Sequence, residues 1–289
     1  LTACTTPHNT HCTSQAHTAT LTHTPHNIYY TSQHILHLTN THYILQDNTL
    51  YTTHTTAHTT HYSMYYKTHI EYTPSSSPAG VQQTTSFWVK RTELGAEQAI
   101  FEARQNNTNL SAMKFKSTDS FQMYSENGGT TNIMLVTNRK FRDTSAWYHI
   151  VLAVDTTQAT DTNRVKIYVN GTQKLITVPS GQSYPPQNYA HTYSYQGANN
   201  TIGEFGASFD SGELDGYLSE FNFIDGLTLD PTYFGETKNG IWIAKKYTGS
   251  YGSNGYRLEF KNTSVGSGSS STIGADTSGN THHFDSVNV

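Results

Sequence analysis

Three carboxylates stand close together in the sequence, at Glu213, Asp215 and Glu220, and paired carboxylates are the machinery of glycoside hydrolysis. A retaining mechanism needs its nucleophile and its acid/base about 5 Å apart. On a regular strand Glu213 and Asp215 share a face, but Glu220 has the opposite parity and lies roughly 17 Å from Asp215. One bulge, such as Gly216 would allow, does not close that gap. The spacing favours a turn at Asp215-Gly216, with Glu220 facing solvent beside Phe221, over a catalytic pair.

Metal and sugar chemistry have other candidates. Asp155 and Asp161 flank one loop, and Asp215 and Asp225 lie near another; calcium is held by such loop carboxylates and carbonyls. None of the four stands in a dense Asp/Asn ladder, and isolated aspartates commonly just form turns. His54, His58 and His61, with His34 and His37, have spacings that could chelate zinc on a helix. The Thr-Thr pairs between them are poor helix formers, and no carboxylates accompany them to orient the rings. For ligand binding, the aromatic-rich stretch holding Tyr184, Tyr189, Tyr193 and Tyr195 is the leading candidate. Aromatic faces beside Asn and Gln suit sugar recognition. The plainer alternative is that these tyrosines pack their own loop or touch a neighbouring chain.

The elements that would position these residues are strands. Period-2 alternation marks 85–91, 99–104, 112–116 and 120–124, with a more continuously apolar run at 132–137. Segments 147–154 and 164–169 form a hairpin around a polar loop, and Asn170-Gly171 suits a type I′ turn into a strand over 172–177. Val165, Ile167 and Val169 alternate with Arg164, Lys166 and Tyr168, the pattern of a half-buried antiparallel strand. Phe87 and Val89 are assigned to the core face and Trp88 to the other. Trp88 and Trp147 are read as core by default, and Trp242 as core or interface. Short strands separated by Gly, Asn and Asp turns argue for an all-β, two-sheet antiparallel sandwich of the jelly-roll kind.

Composition breaks sharply near Pro74. Twelve of the 16 histidines and both cysteines, Cys4 and Cys12, lie before it, and the first glycine is Gly80. Residues 1–72 use mainly amino acids whose codons can lack G, so the leading expectation is an unselected or out-of-frame translation that is disordered or poorly packed. A net charge of −4 with no basic stripe argues against nucleic-acid binding. No apolar run is long enough to cross a bilayer, and no signal peptide is visible at Leu1.

Three stretches together resemble the laminin-G-like, concanavalin A-like jelly-roll superfamily. They are Phe87-Trp-Val-Lys-Arg91; Trp147-Tyr-His-Ile with Ile167-Tyr-Val-Asn-Gly171; and Ile202-Gly203 with Leu214-Asp-Gly-Tyr-Leu-Ser-Glu-Phe221. Further motifs resemble a module of marine bacteriophage tail-associated structural proteins. These are Phe223-Ile-Asp-Gly226, Phe234-Gly-Glu236, Lys246-Tyr-Thr-Gly-Ser-Tyr-Gly252, Asn254-Gly-Tyr-Arg-Leu-Glu-Phe260 and Asp276-Thr-Ser-Gly-Asn280. Such a module would open with a strand before Thr73-Pro-Ser, where this chain has its leader.

The resemblance implies a leader over 1–72, a sandwich over 73–235 and a C-terminal β segment over 236–289 that completes or extends it and is cut short at its end. It implies a non-catalytic virion or tail module, on the virion or otherwise extracellular, whose loops bind a host-surface glycan or another virion protein. Self-association is a further expectation, no cofactor is expected, and calcium is kept as a candidate. The alternative is a laminarinase-like glycoside hydrolase, a family on the same fold with a Glu-x-Asp-x-Glu or Glu-x-Asp-x-x-Glu strand motif, which Glu213, Asp215 and Glu220 match only loosely. Phe87, Val89, Val151 and Ile167 are expected to be buried.

Overall fold

The computed structural model describes residues 36–38, 44–46 and 49–51 (backbone only), 69–77, 80–191, 193, 195–205 and 212–289. The side chains of His34, His37, His54, His58 and His61, and both cysteines, lie outside the described residues. In chain order the strands begin with β1 (Leu36–Leu38), β2 (Ile44–Gln46), β3 (Thr49–Tyr51), β4 (His69–Tyr72), β5 (Gln82–Arg91) and β6 (Gln98–Asn106). They continue with β7 (Asn109–Phe115), β8 (Ser120–Asn127), β9 (Thr130–Lys140), β10 (Tyr148–Asp155), β11 (Val165–Val169), β12 (Thr172–Gln173) and β13 (Ile176–Thr177). The last are β14 (Asn199–Ile202), β15 (Gly216–Asp225), β16 (Gly235–Lys238), β17 (Ile241–Ala244), β18 (Tyr256–Leu258) and β19 (Asp285–Val287). The described helices are two 3-10 turns, Asp161–Asn163 and Pro231–Tyr233.

These strands build an antiparallel sandwich. One sheet has the order β1-β15-β5-β10-β11-β12, with β18 also on β15, and the other runs β13-β9-β8-β7-β6-β14-β4-β19. Their facing sides share one core, with Phe87, Val89, Ile150, Leu152, Ile167 and Phe221 from the first sheet and Phe101, Met113, Phe115, Phe121 and Leu135 from the second. Phe87 stacks on Phe221 at 5.5 Å and 13°, an offset aromatic contact worth somewhat more than its buried area alone. The four residues expected to be buried are fully buried.

Val151, however, is not in this core. It belongs to a second apolar cluster with Ile224, Phe234, Tyr247 and Tyr251, on the outer face of the first sheet. The chain after β15 returns across that face as a loop, a 3-10 turn and the β16–β17 hairpin, before β18 rejoins the sheet. Thr84, outward on β5, pins this cover by donating to Leu227 O and accepting from Leu229 N, both at 2.8 Å. Every residue of β10 is therefore buried, as in sheets covered on both faces. Along β5 the cover ends before Trp88, and Trp88 and Lys90 are half-exposed.

Two expectations are corrected. The sandwich takes in residues before 73: His69–Tyr72 forms β4, paired with β14 and β19, and Ile70 is fully buried. One apolar side chain on the inward parity is enough to place it, whatever the surrounding composition. Second, 172–177 is two strands in two sheets, because the chain crosses between them at Lys174-Leu175. Arg91, at the end of β5, is a fully buried cation. It reaches Asp119 and Phe141 O at 3.0 Å and Gln98 at 3.1 Å. The Asn170-Gly171 turn forms as expected, with φ of 48° and 76°.

Candidate functional site

Where the cover stops, a groove of about 270 Å³ remains on the outer face of the first sheet, lined by Trp88, Trp147, Ser219, Glu220, Trp242, Ile243 and Ala244. The chain has three tryptophans, and all three are here. Sheet register sets the floor, since Ser219, Trp88 and His149 are direct cross-strand neighbours on β15, β5 and β10. Trp88 faces outward because Phe87 and Val89 on either side face the core, and side chains alternate along a strand.

His149 is the keystone of the floor. It is fully buried, its ring lies 4.9 Å from that of Trp88 at 20°, and its Nδ1 accepts the Trp242 indole N–H at 2.9 Å. An indole nitrogen only donates, so the proton of neutral His149 sits on Nε2, where it can be donated to Ser86 Oγ at 2.9 Å. Burial lowers the His149 pKa to about 3, which keeps the ring neutral. Trp242 arrives from the β16–β17 hairpin and is wedged between two glycines. A Cβ at Gly171 would come within 2.7 Å of its ring, and one at Gly235 would also collide with it. Trp147 extends the aromatic surface to Tyr217, 6.3 Å away.

One wall is made by a β-bulge. Between the pairs Ser219–Trp88 and Asn222–Ser86, two residues of β15 oppose Phe87 alone, and Glu220 takes φ 51°. The extra residue reverses the parity of the strand: Leu218 faces the core before it, and Phe221 and Phe223 do so after it. Ser219 and Glu220 consequently both line the groove. Glu220 Oε2 accepts from Arg257 Nε at 3.1 Å and Nη2 at 2.7 Å. Burial would lower the Arg257 pKa, but Glu220 and Glu259 raise it, so the guanidinium stays charged beneath the carboxylate. The expectation that Glu220 simply faces solvent is corrected: the bulge and Arg257 hold it in place.

The other sequence candidates lie elsewhere. Tyr193 is fully buried between the sheets, with its ring 5.5 Å from Phe101 and 5.0 Å from His191. Tyr184 and Tyr189 are partly buried against the same core, and the Tyr189 hydroxyl meets Ser125 Oγ at 3.1 Å. Tyr195 is half-exposed. The four tyrosines do not form a common open surface, because Tyr193 is spent on the interior. Asp155 caps Thr157 N at 3.1 Å and Gln158 at 2.7 Å, Asp161 accepts from Thr162 N at 2.6 Å, and Asp225 holds Asn254 N at 3.1 Å. Asp215 is engaged by Thr92. Among the described residues no three His, Cys, Asp or Glu side chains converge as a metal site. The groove itself escapes sequence reading, because Trp88 and Trp147 read as core by default. The available signal is parity, which puts Trp88 opposite Phe87 and Val89.

Over residues 65–229, more than half the chain, the sequence matches the family model described as the concanavalin A-like lectin/glucanases superfamily, in its laminin-G form. This chain belongs to that superfamily. Among solved structures, this concanavalin A-like chain is similar to the heptameric SAP-like pentraxin of Limulus polyphemus, at 19% identity over 57% of this chain and 72% of the pentraxin, with TM-score 0.41. It is also similar to domain 4 of a GH43 extracellular arabinanase from Geobacillus stearothermophilus, solved with arabinotriose, at 20% identity over 57% and 69%, TM-score 0.41. A third similarity is to mouse laminin α1 domains LG4-5, at 9% identity over 58% and 41%, TM-score 0.40. These likenesses concern the fold alone. No curated protein matches the chain.

Proposed function

We propose that this chain is a non-catalytic glycan-binding module whose working surface is the tryptophan groove. The observation that carries the reading is the convergence of Trp88, Trp147 and Trp242, from three separate parts of the chain, on one open groove beside Ser219 and Glu220. Indole faces stack on the apolar faces of pyranose rings, and a few polar groups beside them fix orientation. Such surfaces are normally buried unless they bind something. Glycoside hydrolysis needs two converging carboxylates, whereas among the described residues Glu220 is the one carboxylate lining this groove and is already paired with Arg257.

The setting proposed for this activity, attachment of a virion tail or another extracellular surface to a host glycan, rests on the motif resemblance. Immunogold labelling of particles made from the parent genome would decorate the tail; unlabelled particles would contradict it. The binding reading is tested with a glycan array probed by the full chain. Loss of one stacking tryptophan should weaken binding roughly 5- to 30-fold. Trp88→Ala and Trp147→Ala should therefore each dim every positive spot, and spots unchanged in both variants would remove the groove from the account.

A further inference from the structure

We propose that the groove selects neutral hexose units over acidic sugars, with the Glu220 carboxylate accepting hydroxyl protons of the ligand and Arg257 positioning it. This deepens, and rests on, the glycan reading above. Of the seven described residues that line the groove, Glu220 is the one that carries a charge. The nearby cation is not offered to a ligand. Arg257 has a side chain only 5% exposed, and its guanidinium is spent on Glu220, Glu259 and Thr277. Lys90 lies over Tyr217, beyond Trp147 and outside the lining.

A sialyl or uronyl carboxylate stacked on the tryptophans would thus find no cation among the described lining residues to pair with and would face the acceptor oxygens of Glu220 instead, an unfavourable element of the kind that builds specificity. An amino sugar finds little advantage either, because Arg257 already offsets the charge of Glu220. A neutral sugar finds a good partner. Both of these Arg257 N–H groups fall on Oε2, and among the described residues no donor reaches Oε1. That oxygen can accept one or two ligand hydroxyls in charge-assisted bonds. The bulge is what makes this available, since on a regular strand the residue after Ser219 would point into the core.

The test is titration of the full chain, followed by tryptophan fluorescence and calorimetry. The probes are cellopentaose, laminaripentaose and mannopentaose, with polysialic acid, oligoalginate and deacetylated chitopentaose as the charged set. At least one neutral pentasaccharide should bind, with affinity changing less than about twofold between 0.05 and 0.5 M NaCl, because screening acts on charge pairs. Glu220→Gln should weaken it roughly 10- to 150-fold, the range for a lost charge-assisted bond. Near-UV circular dichroism checks that variant's fold, and Glu220→Asp, which keeps the charge, serves as its second form. Arg257→Ala should weaken binding and Arg257→Lys should restore part of it, a rescue that a purely structural residue would not give selectively. Salt-sensitive binding of the acidic probes that Trp88→Ala abolishes, or preferential binding of the chitosan oligomer, would overturn the selection but leave the glycan reading intact. Neutral binding untouched in both Glu220 variants would overturn the role of Glu220. Binding of none of the probes would overturn the selection, and a blank glycan array alongside it would end the glycan reading too.

Discussion

The chain has two aromatic assemblies, and they are built in opposite ways. The tyrosines of 184–195 are neighbours in sequence, yet the fold divides them: Tyr193 goes wholly into the core, Tyr184 and Tyr189 lean on it, and Tyr195 stays half-exposed. The tryptophans at 88, 147 and 242 are far apart in sequence, and sheet register and one hairpin bring them to a single groove. Crowding along the chain is thus poor evidence for convergence in space. A run of aromatics can be the plug that closes a sandwich, whereas a binding surface takes whichever residues share a row across the strands.

Acid should separate the two regions most strongly. His191, beside Tyr193, and His149, under the tryptophans, both have pKa values lowered by burial to about 3. Each is neutral when folded and takes up a proton on unfolding below pH 6.5. Their stabilisation is complete above 6.5 and is lost as the pH falls from there toward 3, at about 1.4 kcal/mol per pH unit for each histidine. Thermal unfolding followed between about pH 6 and pH 5, above the range in which the carboxylates take up protons, should show that slope. His191→Phe should roughly halve it without touching binding, and His149→Phe should halve it while also freeing Trp242 and weakening binding. A next effect comes from Tyr193→Ala, which empties a fully buried site and should cost about 3–5 kcal/mol, or about 6–20 °C in melting temperature. Calorimetry would read it, and a loss below about 1 kcal/mol would mean the ring is not core.

Gly235→Ala should displace the Trp242 ring at a cost of about 1–3 kcal/mol, the range for overpacking. Its indole N–H bond to His149 should be lost, visible as a red-shifted tryptophan emission. The smallest change is Tyr189→Phe, which removes the hydroxyl contacts with Ser125 and Asn132 and should cost about 1 kcal/mol with binding unaltered. A loss of glycan binding in that variant would move the working surface back to the tyrosine loop.

Much of the fold is legible in the sequence because burial there is periodic. Val165, Ile167 and Val169 face the core while Lys166 and Tyr168 do not, and Asn170-Gly171 declares its turn through positive φ. The site is much less legible. The bulge carries no glycine: Glu220 itself takes φ 51°, so the parity of β15 reverses without a mark in the sequence, and the expectation for Glu220 fails with it. Nothing near Lys174-Leu175 announces a crossing between sheets. The strand His69–Tyr72 is hidden by the unusual composition before it, although Ile70 alone fixes its face. The contact between Trp242 and His149 spans 93 residues, and no local pattern reports such a pairing.

The central claim is that the tryptophans, and not the tyrosines, do the binding. It is tested most directly by glycan-array titration of the full chain in two double variants side by side. Trp88→Ala with Trp147→Ala should weaken binding by roughly 25-fold or more, from two stacking losses, while Tyr184→Ala with Tyr195→Ala should stay within about twofold of the parent. The reverse pattern, binding kept without the tryptophans and lost without the tyrosines, would contradict the account.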